Sequence, residues 1–137
     1  MLTRTLLSLA LLLILFPENY SQHYIGETKE QVRKLMSKQR GLREDKSARN
    51  PAFNMIKYTD LFQNQTLIYV FDDDDKCKYS KHMCDYSMLD KMKAKLDEQY
   101  TAVDDSTWTY RHEGSAYTVT MKKDEWYFII DTRKAEK

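Results

Sequence analysis

The sequence predicts an α+β domain in two layers, an antiparallel sheet of about six strands with two amphipathic helices on one face. Three observations carry this expectation. Two segments space their apolar residues as a helix does, and each begins with helix-capping chemistry. After each of these segments the apolar period changes to two, the signature of strands. The order, helix then three strands, occurs twice, so the chain reads as two α-β-β-β pseudo-repeats sharing one sheet.

Residues 1–21 stand apart from this domain. Arg4 gives a positive start, residues 6–16 form an apolar run broken only by Ser8, and Pro17 stops any helix ahead of a polar stretch. The run falls short of the roughly 20 residues that cross a bilayer as a helix. It reads as a signal peptide cleaved after Ser21, which makes the protein exported, periplasmic or extracellular. No cysteine comes directly after the run, so a lipid anchor is not expected. Residues 22–137 then form a single domain. Later apolar runs are of strand length, so no membrane span is expected there.

The first helix lies in "GETKEQVRKLMSKQRGL", where Thr28 and Gln31 have the spacing of a capping box. Val32, Leu35 and Met36 make its apolar stripe, basic residues crowd its end, and Gly41 can close it. Residues 43–51, ending in Asn-Pro, read as an exposed connection. "NMIKYTD" then places Ile56 and Tyr58 on one face of a strand, and "LFQNQ" is a turn. "QTLIYVF" is apolar on both faces, Leu67, Tyr69 and Phe71 against Ile68 and Val70, which suits a central strand. Asn64-Gln65-Thr66 matches a glycosylation sequon, but so short a match arises by chance.

"KCKYSKHMC" is a shorter, more polar strand. A second helix comes next, with Ser87 as its N-cap and Leu89, Met92, Leu96 and Tyr100 as its stripe. Three strands over residues 107–111, 116–121 and 125–131 complete the chain, joined by turns at "HEGS" and "KKDE". Their inward residues are Trp108 and Tyr110; Tyr117, Val119 and Met121; and Trp126, Phe128 and Ile130.

With Gly26, Thr28 and Val32 in "YIGETKEQVRKLM", the first helix resembles the Gly-x-[ST]-x-x-x-[VI] start that recurs in small bacterial envelope proteins. These are the BamE/SmpA, beta-lactamase-inhibitor-like and PepSY-like group. The resemblance covers about a dozen residues and implies a binding or assembly role in place of catalysis. It carries no functional residue over to this chain.

Composition narrows the function. Twenty-two Lys and Arg against 21 Asp and Glu leave a net charge of +1 with the signs interspersed, unlike the basic face of a nucleic-acid binder. Four aspartates, Asp72–Asp75, repel one another and belong on a solvated hairpin tip; they lack the alternation and glycine of a calcium loop. Cys77 and Cys84 leave two readings. On one extended strand they lie about 23 Å apart, too far for a disulfide, so they are free and at least one is buried. A bridge instead requires a turn within residues 78–81, which an exported protein's oxidising compartment permits. The strand reading favours free thiols.

His82, Cys84 and Asp85 suggest a metal, but one spaced pair does not make the three or four converging ligands that zinc needs. There is no nucleophile elbow, no cysteine-nucleophile signature and no glycine-rich phosphate loop, and Gly26, Gly41 and Gly114 are isolated. The expectation is a non-enzyme without cofactor or metal. If the helices cover one sheet face, Tyr127, Ile129, Ile68 and Val70 emerge on the other. The sequence thus predicts a domain that binds a protein or peptide through that face, with Trp108, Trp126 and Phe128 in the core. The alternative is a small-ligand or lipid module using a cleft between sheet and helices, lined by Leu67, Tyr69 and Phe71.

Overall fold

A computed structural model describes residues 23–47, 52–62 and 64–136. The expected signal peptide lies outside the described residues, as does part of the connection ending in Asn-Pro. The chain runs α1 (Lys29–Met36), β1 (Leu42–Glu44), β2 (Met55–Asp60), β3 (Gln65–Phe71), β4 (Cys77–Asp85), a 3-10 turn (Tyr86–Met88), α2 (Leu89–Gln99), β5 (Thr101–Asp104), β6 (Thr107–His112), β7 (Ser115–Lys123) and β8 (Tyr127–Lys134). The strands form one antiparallel sheet in the order β1-β2-β3-β4-β8-β7-β6-β5.

The sheet therefore has eight strands, not about six, and each unit is α-β-β-β-β. The two extra strands are the sheet's edges. β1 comes from the segment read as a connection, and β5 is exposed at every residue. Neither shows an apolar alternation, because an edge strand held by backbone bonds to one neighbour buries little. The two units meet in the middle, where β4 pairs with β8 from Tyr79↔Arg133 to Asp85↔Tyr127.

Register shows that both helices lie on the same face. Tyr69, Ser80, Thr132, Val119 and Trp108 are successive cross-strand partners, so their side chains share one side of the sheet. Val32 and Met36 of α1 pack over the Tyr69 end of that row, and Met92 and Leu96 of α2 over the Trp108 end.

Local chemistry sets the helix ends. Thr28 and Gln31 form the capping box, with Gln31 N–H donating to Thr28 Oγ1 at 3.2 Å and Thr28 N–H donating to Gln31 Oε1 at 2.9 Å. α1 stops at Met36, before Gly41, whose φ of +82° serves the turn into β1. The second helix departs from expectation at its start. Ser87 does not cap it; Asp85 accepts from Ser87 N–H at 2.9 Å and opens the 3-10 turn, and α2 begins without a side-chain cap. The carboxylate outcompetes the hydroxyl because it stands first in the chain and accepts the same kind of backbone bond more strongly.

Residues 23–28 form a strap over the covered face. Gly26 N–H donates to Cys77 O at 2.7 Å and Cys77 N–H returns a bond to Glu27 O at 2.8 Å. At the strap's start, His23 stacks on His112 with ring centroids 4.2 Å apart and meets Tyr117 edge-on at 4.4 Å. The strap thus ties the β4 end of the first unit to β6 and β7 of the second.

Candidate binding face and the cleft behind it

The open face of the sheet comes from the residues that alternate with the core. On β3, Ile68 and Val70 point away from the helices; on β8, Tyr127 and Ile129 do the same. The register brings them together around β4. Met83 lies between Thr66 and Ile129, Tyr79 between Val70 and Arg133, and Asp85 beside Tyr127. Neither helix crosses this side. Ile68, Val70, Tyr127 and Ile129 are all half-buried, shielded only by neighbours in the sheet.

Charged side chains interrupt this face: Ile68 lies between Lys57 of β2 and Lys81 of β4, and Lys81 pairs across to Asp131 of β8. Arg133 sits 4.7 Å above the Tyr79 ring and forms a two-bond pair with Asp131 at 2.6 and 2.7 Å. Lys81 lies 6.0 Å from the same ring, and Lys122 is the cross-strand partner of Ile129. The β2–β3 and β7–β8 turns lie at the same end of the sheet. Leu61 and Phe62 of the β2–β3 turn are 71% and 79% exposed, and Trp126 of the β7–β8 turn is 77% exposed. A groove of about 210 Å³ runs beside Trp126 and Tyr127, with Asn64, Thr66 and Met83 on its other side.

Trp126 corrects the expected core assignment. β8 begins at Tyr127, and Asp124 N–H donates to Tyr127 O at 2.8 Å to close the turn, so Trp126 precedes the first paired residue and is not held to the strand's alternation. Trp108 and Phe128 are fully buried, as expected.

The aspartate run forms the β3–β4 turn. Asp72 Oδ1 accepts from Asp74 N–H at 2.9 Å and Lys76 N–H at 3.0 Å, and Asp73, Asp74 and Asp75 are exposed. Asp75 also lies 3.8 Å from Lys29 at the start of α1, and its carboxylate accepts from Asn54 at 2.6 Å. The run is a structural turn that anchors the first helix.

Cys77 and Cys84 are free and buried at opposite ends of β4, one in each core. Burial pushes each thiol up to about 12, with Asp72 adding to the shift at Cys77 and Asp60 at Cys84. Protonated thiols are poor nucleophiles and poor metal ligands. His82 and Cys84 share the covered face of β4 while Asp85 alternates to the other, so the three do not converge. Among the described residues, no group of three or more His, Cys, Asp or Glu is placed to hold a metal ion.

Behind the open face, on the helix side, a cleft of about 70 Å³ lies between α2, the strap and the two central strands. Leu67 and Tyr69 line it, but Phe71 does not. Ligand pockets for drug-sized molecules run to about 300–1,000 Å³, so this space is too small for a lipid. Its floor is polar. Ser80 and Thr132 are direct cross-strand partners, and His82 lies two residues further along β4. His82 Nε2 donates to Gln65 Oε1 at 2.8 Å. Burial, reinforced by the charge of Lys95 and opposed by Asp60, lowers its pKa to about 4, so the ring is neutral at physiological pH.

Strand parity alone identifies the four open-face residues from the sequence. It misses the apolar turn tips and the polar cleft. Alternation along "KYSKHMC" could have placed Ser80 and His82 on the covered side, but only once the other strands' faces were known. The comparisons with protein-family models, with curated proteins and with solved structures find no match to this chain.

Proposed function

We propose that this is an exported, non-catalytic domain that binds a protein or peptide through the open face of its sheet. One observation carries the reading: Ile68, Val70, Met83, Ile129 and Tyr127 lie on the side that neither helix covers, with Val70 beside Tyr79, Ile129 beside Met83, and Ile68 between Lys57 and Lys81. At the end of the sheet where the β2–β3 and β7–β8 turns lie, Trp126, Leu61 and Phe62 are three of the most exposed large apolar side chains described. Exposed apolar and aromatic side chains beside charged ones are common at protein interfaces, and the aromatic residues there contribute most per side chain. The apolar leader at the N-terminus supports export and therefore a partner outside the cytoplasm. The buried, protonated thiols support the absence of cysteine chemistry.

The test is a cross-linked pull-down from native envelope extract with residues 22–137 as bait, alongside Tyr127→Ala and Ile129→Asp variants. A single stoichiometric protein is expected with the parent chain. Its loss in both variants, with circular dichroism unchanged, supports the reading. Equal capture by the Ile129→Asp variant overturns it, since a charge at the centre of a buried patch costs about 2 kcal/mol or more.

A further inference from the structure

We propose, resting on the open-face reading, that the groove beside Trp126 takes an arginine or lysine side chain of the partner. Two strand ends and a turn build this groove. Asp85, the last residue of β4, is the cross-strand partner of Tyr127, the first of β8, so carboxylate and phenol share the open face. Two residues back along β4, Met83 stands on that same face beside Ile129. Trp126 precedes the ladder, on the turn that leads into Tyr127, and its indole is exposed.

Charge specifies the guest. Asp85 is the one formally charged residue among those that line the groove. It accepts from Ser87 N–H at 2.9 Å, which holds its pKa below the ordinary value and keeps it ionised. Among the described residues, no lysine, arginine or histidine forms an ion pair with it. The turn adds Asp124 and Glu125, both exposed, while Lys122 and Lys123 at the end of β7 stay outside the lining. A carboxylate without a cation, set beside indole and phenol rings, suits a positive guest. The carboxylate supplies the charge and the ring faces supply the cation–π attraction. An anionic partner meets repulsion here, and a purely apolar one leaves the carboxylate desolvated and unpaired. At about 210 Å³ the groove has room for a side chain, short of the roughly 300 Å³ where small-molecule pockets begin.

The probe is acetyl-Leu-Arg-Leu-amide, with acetyl-Leu-Gln-Leu-amide as its neutral counterpart, followed by NMR on residues 22–137 at matched ionic strength. Trp108 is fully buried, so the Trp126 indole N–H reports on the groove by itself. A saturable shift of that signal and of the Met83 methyl is expected, with the arginine peptide bound about tenfold more tightly than the glutamine one. Asp85→Asn keeps the backbone cap and removes the charge, and Trp126→Leu keeps apolar bulk without the ring. Each should weaken the arginine peptide about threefold, read at the Met83 methyl. Equal affinity for the two peptides, no saturable shift with either, or unchanged arginine affinity in both variants overturns the proposal. The open-face reading is judged apart from this, because Ile129 does not line the groove. If Ile129→Asp abolishes partner capture while Asp85→Asn leaves it intact, the face stands and the cation is struck from it.

Discussion

The two units share one plan but fill their cores differently. The first core is built on tyrosines: Tyr24, Tyr58 and Tyr69 meet edge to face at 5.1 and 6.2 Å, and Tyr69 Oη donates to Met36 Sδ at 3.4 Å. Burial pushes the Tyr58 phenol up to about 12 and that of Tyr69 well above its ordinary range, so both remain neutral donors. The second core is built on Trp108, Phe128, Val119 and Ile130, with one polar tie, the Trp108 indole N–H donating to Asp97 at 2.8 Å. Each helix buries two side chains, yet only the first core also takes in strap residues, Tyr24 and Ile25. One backbone arrangement thus accepts either a hydroxyl-bearing core or an almost purely apolar one, provided volume and face are kept. That is why the two units barely resemble each other in sequence.

The contrast can be broken first at Trp108. Trp108→Ala should cost about 3–5 kcal/mol, since it empties the largest fully buried side chain and removes its hydrogen bond to Asp97. Tyr69→Phe, which removes one hydroxyl from the other core, should cost no more than about 1.5 kcal/mol. Urea unfolding of the two variants compares them directly. Equal costs would show that the tyrosine core depends on its hydroxyls as much as the other core depends on bulk.

Acid tests the seam between the cores. His82 has a folded-state pKa of about 4 against an ordinary 6.5, so the unfolded chain takes up the proton first. The native state keeps its full advantage above pH 6.5 and loses about 3 kcal/mol as the pH falls to 4. His23, lowered by burial and by His112 beside it, adds in the same direction. Unfolding free energies measured across this window should fall with decreasing pH, and His82→Gln should flatten the slope. An unchanged slope in that variant would place the acid sensitivity elsewhere.

The smallest difference lies at the helix starts. Thr28→Ala removes a side-chain cap and should cost about 1 kcal/mol. Ser87→Ala should be nearly neutral, because Asp85 and not Ser87 caps that turn. Thermal melts of both variants check the pair, and a larger loss at Ser87 would reverse the assignment.

How much of this was legible in the sequence depended on burial. Ile56 and Tyr58, Val119 and Met121, and the split of Leu67, Tyr69 and Phe71 from Ile68 and Val70 came from alternation, because each of those strands has a face to hide. The open-face set Tyr127, Ile129, Ile68 and Val70 came from the same parity. β1 and β5 were invisible, since strands exposed along one side carry no apolar code. Trp126 was misplaced because the alternation of Phe128 and Ile130 was carried one step too far, into the β7–β8 turn that precedes Tyr127. The cleft was anticipated on its Leu67 and Tyr69 side, but its polar groups were not, because they span β4 and β8, which adjoin only through a pairing that sequence order does not announce.

The modest outer strands have one further consequence. β1 is only three residues long, and β5 is four with an irregular register between Ala102 and Asp104. A long flat rim would invite another chain to extend the sheet, the route that leads copies of a β protein into fibres. Here neither rim offers more than a few backbone groups. Neither rim is therefore suited to taking on a ninth strand, from another copy or from an extended peptide.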